Sequence, residues 1–140
     1  MAVTVSRRPR RSALAEREVR RDTPLRRART CYDHLAGVAG VALLDGMLAH
    51  GWLVPRAHGY AVTPRGADAL LRRGVDLVAA DASARPFVRR CLDWTERQPH
   101  LAGALGAAVL DRLTRDAVVH RTPRSRVVTL RRPLTAWLGA

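Results

Sequence analysis

At 140 residues and 47% hydrophobic content, the chain is long enough for one domain with a real core. Its net charge of +13 rests on 25 basic residues, all of them Arg, which points to a polyanionic partner such as DNA, RNA or an anionic membrane surface. An aromatic content of 4% argues against a stacking platform for single strands, and two cysteines argue against a secreted disulfide framework.

Charge concentrates at the start. Residues 1–29 carry ten Arg against Glu16, Glu18 and Asp22. Residues 1–23 read as a basic, flexible arm, with a short helix possible from Ser12 to about Arg21. No apolar h-region follows the first basic residues, and the stretch from Leu35 to Leu44 is too short to span a bilayer. The expected location is cytoplasmic.

Pro24 suits a helix start. Leu25, Ala28, Cys31, Tyr32 and Leu35 follow at spacings of three and four, so a helix is expected through this segment. A second helix is expected from Val38 to His50, with Gly51 just past its end. Leu53-Val54 and Tyr60–Thr63 read as a hairpin. Thr63 then caps a helix with Pro64 at its first position and Gly74 after its end. Residues 75–85 read as a connection.

The segment His34-Leu-Ala-Gly-Val-Ala-Gly-Val-Ala-Leu-Leu-Asp45 returns as His100-Leu-Ala-Gly-Ala-Leu-Gly-Ala-Ala-Val-Leu-Asp111, identical at eight of twelve positions. The same offset aligns Tyr60–Thr63 with Arg126–Thr129, so the chain reads as two copies of one unit. In the second copy Pro86 is expected to open an amphipathic helix with Phe87, Val88, Cys91 and Leu92 inward. Pro99 is expected to open a helix to about Arg115. Val118-Val119 and Val127-Val128 form a hairpin, and a weaker helix carries Leu134, Trp137 and Leu138.

The expected fold class is mainly α with small β-hairpins (α+β). It comprises two tandem winged-helix-like helix–hairpin–helix repeats, residues 24–82 and 83–140, the second packed on the first. In a winged helix one helix enters the major groove and the hairpin touches backbone or minor groove.

Arg56, Arg65, Arg72 and Arg73 surround the first hairpin and helix; Arg121, Arg124, Arg126, Arg131 and Arg132 surround the second. These are the candidate DNA-binding residues, suited to a duplex phosphate track, and they read equally as solvated charge. Cys31, His34, Cys91 and His100 are candidates for metal or thiol sensing, because two Cys and two His match a tetrahedral zinc stoichiometry. The competing reading is two buried thiols on helical faces and two histidines that each make a buried hydrogen bond inside their own unit. Cys31 and Cys91 do not share the 66-residue offset, since 31 advanced by 66 falls on Arg97. That weakens a symmetric site. Gly37, Gly40, Gly103 and Gly106 suit close helix approach rather than phosphate binding. Trp52, Trp94 and Trp137 read as core or as a ligand pocket between units, and Asp45 and Asp111 as partners of nearby Arg. No catalytic motif is present, so no enzyme activity is expected and no cofactor is required beyond a possible zinc or other thiophilic metal.

Pro24-Leu-Arg-Arg-Ala-Arg-Thr-Cys-Tyr-Asp-His-Leu-Ala-Gly37 and Cys91-Leu-Asp-Trp-Thr-Glu-Arg-Gln-Pro-His-Leu-Ala-Gly103 resemble two segments of ArsR-type bacterial transcriptional regulators. Tyr60-Ala-Val-Thr-Pro-Arg-Gly66 resembles the element that follows the first. The resemblance covers about residues 24–140. It implies transcriptional repression, usually as a homodimer and often relieved by a metal or another small effector. In that family these segments follow a helix-turn-helix domain. Residues 1–23 are too short and too basic to encode one, so no DNA-contact residue of the family carries over. Three roles are therefore expected in competition: a duplex-DNA-binding regulator, an effector-sensing or dimerisation module, and a nonspecific nucleic-acid binder.

Overall fold

A computed structural model describes residues 10–84 and 86–139. The architecture is α+β, with helices and four two-stranded antiparallel hairpins in separate sheets. Helix α1 (Ala13–Arg21) begins as expected, with Ser12 Oγ accepting from Ala15 N at 3.1 Å. Ala15 is buried and Asp22 ends the helix in the left-handed region, so this part of the basic head is ordered. Residues 1–9 of the expected arm lie outside the described residues.

The helix expected from Pro24 stops after one turn, α2 (Pro24–Arg27), and a hairpin follows: β1 (Arg29–Cys31) and β2 (His34–Ala36). The cause of the mismatch is geometric. In a hairpin with a two-residue loop, residues i and i+3 stand opposite each other, as Cys31 and His34 do. The spacing of three that marks a helical face also marks this turn.

Helix α3 (Gly37–Ala49) then runs as expected, with Gly51 at φ +72 beyond its end. Hairpin β3 (Leu53–Arg56) and β4 (Gly59–Val62) and helix α4 (Pro64–Arg72) also match. Thr63 Oγ1 accepts from Gly66 N at 2.9 Å and donates to the Gly51 carbonyl at 2.5 Å. Thr63→Ala is therefore expected to cost about 1 kcal/mol, read as a lower urea midpoint at unchanged slope. An unchanged midpoint would show that water replaces both bonds. The expected connection over 75–85 contains a short helix, α5 (Leu77–Ala82), capped by Asp76.

The second copy opens the same way. Residues 86–102 form no amphipathic helix but a hairpin, β5 (Arg89–Leu92) and β6 (Pro99–Ala102). Helix α6 (Gly103–Arg115) starts four residues after Pro99. Hairpin β7 (Val119–Arg121) and β8 (Val128–Leu130) and helix α7 (Leu134–Leu138), with Pro133 at its N-cap, complete the copy. The repeating unit is thus hairpin, helix, hairpin, helix. Its second hairpins do not keep one offset. Leu53 pairs with Val62, whereas Val119 pairs with Leu130, so the second hairpin is two residues longer. Thr129 therefore lies in a strand, not at the capping position of Thr63.

The copies interlock. Thr30 N donates to the Arg126 carbonyl at 2.8 Å and Val128 N to the Ala28 carbonyl at 3.1 Å, which docks the second copy's β7–β8 hairpin on the first copy's β1. Reciprocally, Gly59 of β4 sits where a Cβ would meet the Val88 carbonyl at 2.5 Å, beside β5. Helix α3 packs on β6 and α6 on β2. One continuous core results, with Leu44, Met47, Leu53 and Leu70 from the first copy and Leu105, Val109, Leu110 and Leu113 from the second.

The helix ahead of each second hairpin belongs to this core. Along α3, Ala39, Val41, Leu43, Leu44 and Met47 are buried, and its sequence contains no basic residue. It lacks the charge and the exposure that a groove-reading helix uses. Among the described residues no helix is long and apolar enough to cross a membrane.

Candidate metal centre

Each first hairpin presents a Cys–His pair. Cys31 is the cross-strand partner of His34, and Cys91 of His100, so within each pair both side chains leave the same face of the ribbon. The two hairpins face each other. Their ligand atoms, two Sγ and two imidazole nitrogens, all lie within 4.8 Å of one another. The Nε2 atoms of His34 and His100 are 2.9 Å apart. Both histidines are buried, while the cysteines are half-buried thiols.

This placement corrects two expectations. The thiols stand on strands, not on helical faces. They are also equivalent in the repeat despite the broken offset. The loop between Cys91 and His100 is six residues longer than the Tyr32-Asp33 turn, which shifts the cysteine count while leaving both cross-strand pairs intact.

Glycines allow the approach. Gly37 and Gly103 turn the chain from strand to helix at φ +75 and +80. At Gly40 a Cβ would lie 3.4 Å from His100 Cβ; at Gly106 it would lie 3.1 Å from His34 Cβ. Each helix of one copy thus leaves room for the histidine strand of the other. Close packing is what the Gly-x-x-Gly spacing serves.

Behind each histidine stands the aspartate two residues past the cysteine of its own hairpin. His100 Nδ1 lies 3.0 Å from Asp93 Oδ2, and His34 Nδ1 lies 3.5 Å from Asp33 Oδ1. The Asp93 carboxylate accepts from His100 Nδ1–H, which turns the His100 Nε2 lone pair toward the centre and His34 Nε2. The expected bond inside each unit is present for His100; the contact between the two histidines across the copies is additional.

Asp93 anchors the centre. Its Oδ1 accepts from Arg29 at 2.8 Å, Thr95 Oγ1 at 2.9 Å and the Thr95 and Glu96 amides at 3.1 Å each. Its Oδ2 accepts from the Gly37 amide at 2.6 Å. Burial pushes this carboxyl up, but His100, the Arg29 guanidinium and the amides outweigh it and hold it well below the usual carboxylate range. Arg29 also reaches Thr95 Oγ1 and the Leu25 carbonyl, and its guanidinium lies 4.7 Å from the Trp94 ring centroid. Arg11 donates to the Thr95 carbonyl. Arg26 holds Glu96 through two bonds of 3.1 and 3.2 Å. Sequence reading missed Arg29 and Thr95. The Asp-x-Thr turn at 93–95 was a legible signal, whereas a buried Arg29 was not, because its partners Asp93 and Thr95 lie more than sixty residues away in the chain.

Burial and the neighbouring Cys31 raise the Cys91 thiol to about 11. A cleft of about 450 Å³, lined by Cys31, Tyr32, His34, Arg89, Arg90 and Cys91, leads to the centre from outside.

The arginine candidates do not gather here. Arg56, Arg65, Arg72, Arg121, Arg124, Arg126, Arg131 and Arg132 are exposed, with Arg72 paired to Asp68. Arg73 is structural. Its Nε donates to the Trp137 carbonyl at 2.7 Å, and its guanidinium stacks 4.6 Å from Trp52 and 5.6 Å from Trp137. Trp52 and Trp137 meet edge to face at 6.3 Å, while Trp94 packs against the Arg29 guanidinium. Asp111 pairs with Arg115 at 2.9 Å, as expected of it.

No family model matches the chain, and no solved structure matches it significantly. One curated protein does. The chain is similar to a transcriptional regulator. It is 40% identical over 103 residues to the uncharacterized HTH-type transcriptional regulator YdfF of Bacillus subtilis (strain 168). The match covers 74% of this chain, and the chain spans 46% of that relative's length.

Proposed function

We propose that this chain is the effector-sensing module of an ArsR-like transcriptional regulator, and that it reads its effector at the seam between the two repeats. The observation that carries this reading is the convergence of Cys31, His34, Cys91 and His100 from both copies on one centre. The similarity to an HTH-type regulator supports the regulatory role. The resemblance of Pro24–Gly37 and Cys91–Gly103 to ArsR-type segments supports the finer assignment, with repression by a cytoplasmic homodimer. The role is binding and regulation, not catalysis.

A second reading has its own observation. Exposed Arg121, Arg124, Arg126, Arg131 and Arg132 border the second hairpin, which has the place of a wing, and duplex phosphate would suit them. The core position of α3 weighs against sequence-specific reading by the helix that precedes β3–β4.

A salt titration of duplex binding separates the readings. The sensing reading expects no binding of either duplex, upstream or competitor, near physiological salt. A nonspecific polyanion binder holds both equally, with log K falling against log salt by about 0.9 per phosphate neutralised. Clear preference for the upstream duplex would assign DNA reading to this chain instead. A deletion strain whose transcript profile equals that of its parent would remove the regulatory role altogether.

A further inference from the structure

We infer that Cys31, His34, Cys91 and His100 bind one zinc-class divalent ion between the two repeats, with Asp33 and Asp93 acting as positioning residues behind the histidines. The inference names the effector chemistry of the sensing reading and rests on it only in that respect.

The donor set is the first support. Two thiolates and two imidazoles suit a soft or borderline cation that accepts tetrahedral geometry, and they disfavour Mg²⁺ and Ca²⁺, which take oxygen ligands. Spacing is the second. With metal–sulfur bonds of about 2.3 Å and metal–nitrogen bonds of about 2.0–2.1 Å, the edges of a tetrahedron are about 3.3–3.8 Å. The four ligand atoms already lie within 4.8 Å of one another, with the two Nε2 atoms at 2.9 Å. Closure therefore requires shifts of about 1 Å or less.

The outer shell is the third support. Metal-bound histidines commonly pass their other ring N–H to a carboxylate, which sets the tautomer and aims the ring. Both histidines here face an aspartate of their own hairpin at Nδ1. Charge agrees as well. Two thiolates neutralise a divalent ion, so the filled centre buries no net charge, and the two thiol protons leave to solvent on binding. The cleft at Cys31 and Cys91 is the entry path.

Such an ion would tie β1–β2 to β5–β6. Asp93 Oδ2 is shared between His100 Nδ1 and the first amide of α3, so the strain of ligand closure reaches the start of that helix directly.

Cobalt(II) is the probe. The full chain, reduced and metal-free, is titrated with cobalt chloride and followed in the visible and near-ultraviolet. One equivalent is expected to bind, with the intense d–d bands of tetrahedral cobalt and a thiolate-to-cobalt charge-transfer band, both bleached by one equivalent of zinc. The double variant Cys31→Ser, Cys91→Ser is expected to lose the charge-transfer band while keeping its far-ultraviolet dichroism. Asp33→Ala, on a half-buried turn away from the Asp93 network, is expected to weaken binding roughly 10-fold with the spectrum unchanged. A weak octahedral spectrum in the parent protein overturns the inference whatever the variants do. So does undiminished cobalt uptake by the double cysteine variant, or a Cys31–Cys91 disulfide in protein purified without oxidant. Uptake is read without DNA, so a failure here leaves the duplex and transcript experiments to judge the sensing reading separately.

Discussion

Asp93→Ala is expected to destabilise the chain by about 3–5 kcal/mol, the usual cost of breaking a buried ion pair from one side. The Arg29 and Asp93 side chains are 2% and 0% exposed, so neither can turn to water when its partner is lost. Removal of the carboxylate strands the Arg29 guanidinium, His100 Nδ1, Thr95 Oγ1 and the Gly37 amide together. The two-state unfolding midpoint in urea is the measurement, and a loss below about 1 kcal/mol would show that the network is hydrated. The double variant Arg29→Ala, Asp93→Ala is expected to cost less than the two single changes added together, because no unpaired charge remains. Asp93→Asn separates charge from shape: it keeps the volume, loses the ion pair, and is expected to fall between parent and Asp93→Ala.

Gly40→Ala is expected to lose about 1–3 kcal/mol through overpacking, despite the better helix propensity of Ala. The propensity gain is at most about 1 kcal/mol for Gly to Ala in a helix interior. Against it stands a Cβ placed 2.4 Å from the Leu35 carbonyl oxygen and 3.4 Å from His100 Cβ. A backbone oxygen in β2 cannot yield without moving the strand that carries His34. Gly46→Ala is the control on the same helix. Its Cβ would meet only side-chain atoms of Leu138, Cδ1 nearest, the end of a flexible side chain, so the propensity gain is expected to offset most of the contact. Equal thermal midpoints for the two variants would remove the steric argument. If the argument holds, Gly40→Ala also weakens cobalt binding, because it displaces the strand that carries His34, and Gly46→Ala does not.

These two changes act on one feature, the seam where each copy's helix meets the other copy's hairpin. Stability and the candidate site share the same residues there. Asp93 both anchors Arg29 and aims His100, and Gly40 both starts the packing of α3 and clears space for the histidine strand. A regulator that senses at such a joint would transmit occupancy through packing already present, with no separate lever required.

Local chemistry made much of the fold legible. Ser12 at α1, Thr63-Pro64 at α4 and Gly51 after α3 are caps whose effect lies within a turn of the residue itself, and each stands where its side chain or φ requires. The duplication was legible too, as were the β3–β4 and β7–β8 hairpins, because alternation and turn residues are local signals. The four site residues could be named from their chemistry alone. Their geometry could not. A spacing of three or four residues is shared by a helical face and a tight hairpin, so Cys31 and His34 read as helical until tertiary packing showed strands on a core. Cys91 and His100 are nine positions apart, and only strand pairing across a long loop makes them neighbours. The interlock of the copies settled the rest. It buried α3, placed Arg29 against Asp93, and set the two Cys–His pairs face to face, since contacts between segments more than sixty residues apart leave no periodic mark in the chain.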